Sequence, residues 1–277
     1  MTGADAASHS DTGDTGDTTP LIRAAHRRLS TAMAADRDGE DPTDPTTVQA
    51  MPLVLEIPHA PLPERRELLE AAAVACVAVC LDPRAGQPES AFAASLGRWY
   101  GARIRKIARR ARNKRWVDAQ AVPGVTATVG NAHARAFTPC PVNETPALLN
   151  RLQIEGTDLP GTPEQEAVLA ADRHPVIWVD AGLGMSVGKA AAQVSHGSML
   201  LAAAMDVEDA LDWAATGFPL HVCEVESARF AEACAEAEQI RDGVGGDLVA
   251  GRAAAVVQDA GYTEVAPGSV TVVAVTR

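Results

Sequence analysis

The sequence predicts an α/β protein: a small mixed four-stranded β-sheet with helices on both faces, present twice in one chain as a pseudo-dimer. Three observations predict it. Residues 175–277 alternate short β-branched strands with Ala-rich helical stretches. Residues 51–142 repeat the same order of elements: strand, helix, helix, strand, helix, strand, strand. Finally, a glycine-rich turn over residues 182–188 leads from an apolar strand into a helix with one polar face.

At 277 residues the chain is long enough for two ordinary domains, and its 47% hydrophobic content supports a packed core. No uncharged apolar run reaches the roughly 18 residues needed to span a bilayer. The N-terminus is polar and acidic where a signal peptide is basic and then apolar, so a soluble, cytoplasmic protein is expected. Five scattered cysteines form neither a disulfide framework nor a Cys-x-x-Cys metal site. Cys76 and Cys80, four apart in an apolar helical pattern, read as core thiols. The net charge of −12 is uneven: residues 1–50 hold 4 basic and 9 acidic side chains, 51–150 hold 13 and 8, and 151–277 hold 7 and 19.

Residues 1–50 are rich in Asp, Thr, Gly, Ser and Pro and read as a disordered acidic tail, with one marginal amphipathic helix at 21–34. A strand at 52–58 and a helix at 64–81 follow, the helix starting after Pro61 and Pro63. Next come a turn at 83–88, a short helix ending near Trp99 and a strand at 103–107. A helical piece through Trp116 and strands at 125–129 and 134–142 complete this α/β domain. Residues 143–174, with three prolines and two glycines, read as a linker. The second domain, 175–277, offers strands at 175–179, 220–225, 253–258 and 269–275, with helices at 187–205, 207–214 and 228–241.

The two halves also share residues. Residues 69–74 lie under 188–193, Trp99 precedes a Gly and a strand as Trp213 does, and 130–139 lie under 258–267. On this alignment the first half has Glu70 for Lys189, Asn131 for Asp259 and Arg135 for Thr263. It is either a worn copy that kept the fold and lost the chemistry, or an unrelated α/β extension.

In the glycine-rich turn Ser186 is a natural N-cap, and Lys189, Gln193 and His196 fall at i, i+4 and i+7 on one helix face. A P-loop does not fit. Gly182 leaves five residues and Gly184 three before Gly188-Lys189, where four are required, and Ala190 replaces the hydroxyl. The dinucleotide fingerprint fails as well, because Val187 stands where its third glycine belongs.

What the stretch resembles is the opening of the type II, archaeal and eukaryotic kind of peptidyl-tRNA hydrolase. Met185, Gly188-Lys189, Ala191-Ala192-Gln193 and His196 carry the match. A second block, from Asp259-Ala260-Gly261 and Thr263 to Gly268 and Thr271, resembles that family's closing hairpin. The resemblance covers residues 174–277 and implies an enzyme that cleaves the ester between a peptide and tRNA. It implies that Lys189, Asp259 and Thr263 cluster as catalytic residues: Asp259 orienting or deprotonating a water, Thr263 holding that geometry, Lys189 neutralising Asp259 or stabilising an oxyanion. Gln193, His196 and Thr271 follow as supporting or substrate contacts, though a lone helical His is as readily satisfied by local hydrogen bonds. No metal or organic cofactor is expected.

The partner is tRNA, and the densest positive charge is the run Arg103, Arg105, Lys106, Arg109, Arg110, Arg112, Lys114, Arg115. It is either a phosphate grip, with Trp99, Tyr100 and Trp116 available for stacking, or a solvated face. Departures from the family pattern bear on activity. Ser186-Val187 and Tyr262 replace residues usual there, and Glu224 and Glu226 stand where relatives carry lysines. A catalytically altered member acting as a binding or regulatory module is the alternative. A monomer with an internal pseudo-dimer, or a homodimer, is expected.

Overall fold

The computed structural model describes residues 17–41, 43–154, 158–161, 173–244, 246, 249–261 and 264–277. Its first half comprises α1 (Thr19–Ala34), β1 (Gln49–Glu56), α2 (Arg65–Cys80), α3 (Pro83–Gly86), α4 (Ala91–Gly101), β2 (Lys106–Ala111), α5 (Lys114–Ala119), β3 (Gly124–Val129), β4 (Ala132–Phe137), β5 (Cys140–Pro141) and α6 (Ala147–Asn150). The second half comprises β6 (Val176–Asp180), α7 (Val187–Ala204), α8 (Val207–Ala215), β7 (His221–Val225), α9 (Ser227–Asp242), β8 (Ala254–Gln258) and β9 (Val270–Val275).

The strands form two mixed sheets of matching topology. The first runs β2-β1-β4-β3, with the two-residue β5 added beside β1 as a fifth strand; the second runs β7-β6-β9-β8. In each, the first two strands in sequence are parallel and the remaining pairings of the path are antiparallel. The matched tryptophans agree in detail. Trp99 donates its indole N–H to the Arg105 carbonyl (3.1 Å) and Trp213 to the Pro219 carbonyl (2.8 Å), each six residues on and just ahead of the next strand.

Alternation along the strands sends one set of side chains inward. Ile177, Val179, Val272 and Ala274 join Met51, Leu53, Leu55, Ala134 and Ala136 in one core that runs through both halves. Between the sheets lie α2 and α7, Ala-rich at their contact. Ser195 and Ser198 of α7 donate to the Ala72 and Ala73 carbonyls of α2 at 3.1 and 2.8 Å, satisfying two buried hydroxyls. Gly197 lets α7 approach its own sheet, since a Cβ there would meet Val272 at 3.0 Å. The inner faces of the two halves therefore share one interior: two small sheets, each with an Ala-rich helix on it, bury more apolar surface together than apart.

The outer faces differ. Phe230, Ala233, Ala237 and Ile240 of the 16-residue α9 cover Val176, Trp178, Val273 and Val275. The corresponding α5 has only 6 residues, and Leu149 and Leu152 from the segment after β5 complete the cover over Val54, Ala111 and Phe137. That segment was expected to be linker. Its described part packs instead, while residues 155–157 and 162–172 lie outside the described residues.

The acidic tail is also corrected over its described part. α1 buries Ala25, His26 and Leu29, and His26 Nε2 lies 2.9 Å from the Ala202 carbonyl of α7. Sixteen residues are marginal for an isolated helix, so tertiary packing supplies what length does not. Residues 1–16 lie outside the described residues. The strand expected at 103–107 is found at 106–111, because its inward residues are the small Ala108 and a Lys, which give little apolar signal.

Candidate active site

The site is assembled where β6 leads into α7 and where β8 turns toward β9. After β6, Asp180 accepts from the Gly182 amide (2.9 Å) and the Ser227 hydroxyl (2.8 Å), which fixes the first bend. Gly184 then takes a left-handed conformation (φ 57°) that L side chains disfavour. Ser186 is the N-cap of α7 and accepts the Lys189 amide at 3.2 Å. On the other side, Asp259 follows a bulge at the end of β8. Its amide donates to the Ser269 carbonyl (2.9 Å) and its carbonyl accepts from Gly268 (2.8 Å), closing the base of the loop. Gly261 is required there: φ is +77°, and a Cβ would lie 2.4 Å from Pro267.

These two turns bring Lys189 and Asp259 together as an ion pair, each side chain 10% exposed. Asp259 Oδ2 accepts from the Lys189 ammonium and from Gln193 Nε2 (2.8 Å), and Oδ1 accepts from the Gly261 amide (2.7 Å). The Gln193 amide is oriented in turn by Thr271, whose buried hydroxyl donates to Gln193 Oε1 at 2.7 Å. A carboxylate has about four acceptor positions. Among the described residues three are used, leaving Oδ1 able to take one more donor. Burial pushes the Asp259 carboxyl up, but the Lys189 ammonium, the Gly261 amide and the Gln193 amide together hold it below its ordinary range.

Of the residues singled out by sequence, Lys189, Gln193, Asp259 and Thr271 therefore meet. Thr263 and Tyr262 lie outside the described residues. His196 is elsewhere. Seven residues at 1.5 Å each put it about 10 Å further along α7. There its Nδ1 accepts from the Lys106 ammonium of β2 at 3.0 Å. Burial, together with Lys106, Lys189 and Arg37, pushes the imidazole pKa well below its usual value, so it is neutral at pH 7.

The alignment of the first half is corrected too. Lys189 is the third residue of α7, and the third residue of α2 is Glu67, not Glu70. Glu67 accepts from the Asn131 amide (3.3 Å) in the turn after β3, the place where Lys189 meets Asp259 after β8. Glu70 instead reaches the other half and accepts from the Val222 amide of β7 at 3.1 Å. Arg135 lies within β4, so it does not stand for Thr263; a two-residue turn, Gly130-Asn131, replaces the long loop between β8 and β9.

The basic run does not form one surface, because a strand sends alternate residues to opposite faces. Glu40 engages Arg105 through both carboxylate oxygens and accepts the Arg103 amide. Lys106 turns inward. Arg109 is 5% exposed, with Nε and Nη1 buried and without a hydrogen-bond partner among the described residues, and burial pushes its pKa down. Arg110 bonds Gln153, and Lys114, 85% exposed, pairs with Asp118. Arg112 and Arg115 are exposed. Gly188, in the first turn of α7, faces Ala108 of β2 and the Ile154 carbonyl, so the end of β2 bearing Arg110 lies on the side of the site. Trp99 and Tyr100 are core residues and offer no stacking platform; Trp116 is half-buried.

Sequence reasoning passed over two residues. Glu264 accepts from the Ser186 amide (2.8 Å) and hydroxyl (2.7 Å), tying the loop after β8 to the N-terminus of α7. A carboxylate at a helix N-terminus is favoured by the dipole. Arg65, 6% exposed at the start of α2, bonds Glu224 through a two-pronged contact, so the acidic β7 is neutralised from the first half. Among the described residues no three His, Cys, Asp or Glu side chains form a metal-binding group, and no helix is long and apolar enough to cross a membrane.

The family model of peptidyl-tRNA hydrolase PTH2 matches residues 174–276, the segment from the start of β6 to the end of β9 that carries this ion pair. No curated protein matches the chain.

Proposed function

We propose that this chain, whose residues 174–276 match a type II peptidyl-tRNA hydrolase domain, hydrolyses the ester linking a peptide to the terminal ribose of tRNA. The observation that carries the reading is the partly buried Lys189–Asp259 pair, with Gln193 and Thr271 behind it. Asp259 is held ionised and is therefore a weak base. It acts by accepting a hydrogen bond from the attacking water at the open position of Oδ1, which aims the water's lone pair at the ester carbonyl carbon. As the new C–O bond forms, negative charge develops on the carbonyl oxygen. Lys189 lies at the first turn of α7, where its charge and the helix N–H groups stabilise that oxyanion together. Collapse breaks the bond to the ribose oxygen, and the proton lost by the water ends on that oxygen.

The first half, by this reading, is a repeat of the same fold in which Glu67 and a short turn have replaced the lysine and the loop. Its half-buried Arg110 and exposed Arg112 and Arg115 supply phosphate contacts that the acidic second half lacks. The test is release of peptide from an N-blocked aminoacyl-tRNA by purified full-length protein. Turnover that disappears in Asp259→Asn supports the reading. Binding of tRNA without turnover would assign the chain to a binding or regulatory role instead.

A further inference from the structure

We propose that the first half of the chain is a working part of the second half's site, through Arg65 acting as a positioning residue. The inference rests on the reading of Lys189 and Asp259 given above. Arg65 opens α2 and is 6% exposed. Its Nε and Nη2 take both oxygens of Glu224 in β7 (2.8 and 2.9 Å), and Nη1 takes Asp158 (2.9 Å). Its remaining bond is the informative one: Nη2 donates to the Met185 carbonyl at 2.8 Å.

Met185 C=O and Ser186 N–H belong to one peptide unit. In a trans peptide these groups point in opposite directions across a rigid plane. Arg65 holds the oxygen, and Glu264 holds the N–H at 2.8 Å. The plane is thus gripped at both ends, by a cation from the first half and an anion from the loop that follows Asp259. Charge-assisted bonds are the stronger kind, and both grips are of that kind. This plane leads directly into the N-cap Ser186 and, three residues later, Lys189. Its orientation sets where the Lys189 ammonium enters the site. The cation that β7 itself lacks is delivered by α2, and Glu224 serves to aim it.

Replacing Arg65 alone would strand the Glu224 charge, itself 15% exposed, and can unfold the protein for that reason only. The decisive variant is therefore the double substitution Arg65→Met with Glu224→Met, which removes both charges and keeps apolar volume. Two readouts in the full-length protein test it. Hydrogen exchange of the amides over 185–190 should quicken about tenfold or more relative to wild type, while that of α9 is unchanged. On N-blocked aminoacyl-tRNA, kcat should fall about 10- to 100-fold with KM within about twofold, as expected for a misplaced catalytic group. Arg65→Lys, which keeps the charge but not the fork, should fall between the two in both readouts.

Unchanged exchange over 185–190 in a folded double variant overturns the proposal, and so does wild-type kcat with faster exchange. If wild type shows no turnover, the proposed reaction is what fails, and the exchange measurement still decides whether Arg65 holds the turn. Should the double variant not fold, Glu264→Gln with Arg65→Lys, which weakens both grips without stranding a bare charge, takes its place with the same two expected outcomes.

Discussion

Lys189 and Asp259 lie 70 residues apart in the chain and meet as an ion pair with each side chain 10% exposed. Neither partner can be removed without leaving the other's charge partly desolvated, which for a buried pair costs about 3–5 kcal/mol and somewhat less here.

Asp259→Asn should therefore reduce turnover by at least about 100-fold, the scale of losing a main electrostatic contributor. Affinity for tRNA should be kept or rise slightly, because one repulsive carboxylate is gone. The pH profile follows from the same group. Its carboxyl is held below the ordinary value, so the ionised form persists above about pH 4. The Asp259 contribution to rate should stay flat from pH 5 to 8 and fall only in stronger acid. Stability has the same sign: it is fully present above the unfolded pKa and lost as pH falls through the folded one. Steady-state kinetics across pH, with an acid limb near neutrality in place of this one, would count against the assignment.

Thr271→Val keeps the shape of a buried side chain but removes the donor that orients Gln193. The Gln193 carbonyl is then unpaired, at a cost of about 1–3 kcal/mol. The amide is free to turn away from Asp259, and kcat should drop while KM changes little. Thr271→Ser restores the hydroxyl and should restore most of the rate. Thermal unfolding and steady-state kinetics on the pair of variants separate packing from orientation.

Arg110, Arg112 and Arg115 replaced together by Ala should weaken tRNA binding and leave the rate at saturating substrate nearly unchanged. If each neutralises a phosphate, the slope of log affinity against log salt should shrink by about two to three, at roughly 0.7 to 0.9 per contact. Arg109→Ala belongs in a different class, since that guanidinium is 5% exposed and should affect stability instead. An unchanged salt slope in the triple variant would leave these residues a solvated face.

His196 should make the fold acid-sensitive. Its folded pKa is lowered by burial and by Lys106, so below the unfolded value of about 6.5 the unfolded chain binds the proton that the folded one resists. The contribution is complete above about pH 6.5 and lost as pH falls toward the folded value. Cys76 of α2 also faces Lys106, its thiol raised by burial and lowered by Cys80 and Lys106, with a net downward shift. Midpoints of thermal unfolding at pH 7 and pH 5 should differ more in wild type than in His196→Gln. Equal differences in the two proteins would exclude the histidine as the source.

What the sequence determined by itself was local. The order of strands and helices follows from apolar periods of 2 and 3.6, and the cap at Ser186 and the turn at Asp259-Ala260-Gly261 follow from side chains that bond their own neighbouring backbone. Lys189 and Gln193, one helical turn apart, were legible as a shared face for the same reason. Only the tertiary structure decided which of those polar residues meet. His196 shares that face yet is carried by the helix rise to Lys106, and Arg109, alike in sequence to Arg110 and Arg112, is buried by strand alternation. Arg65 and Met185 are 120 residues apart, and no periodicity links an arginine to a backbone carbonyl at that distance. Such contacts are fixed by how α2 and α7 pack between two sheets, where small residues let the helices approach and the charged ends fall wherever that packing leaves them.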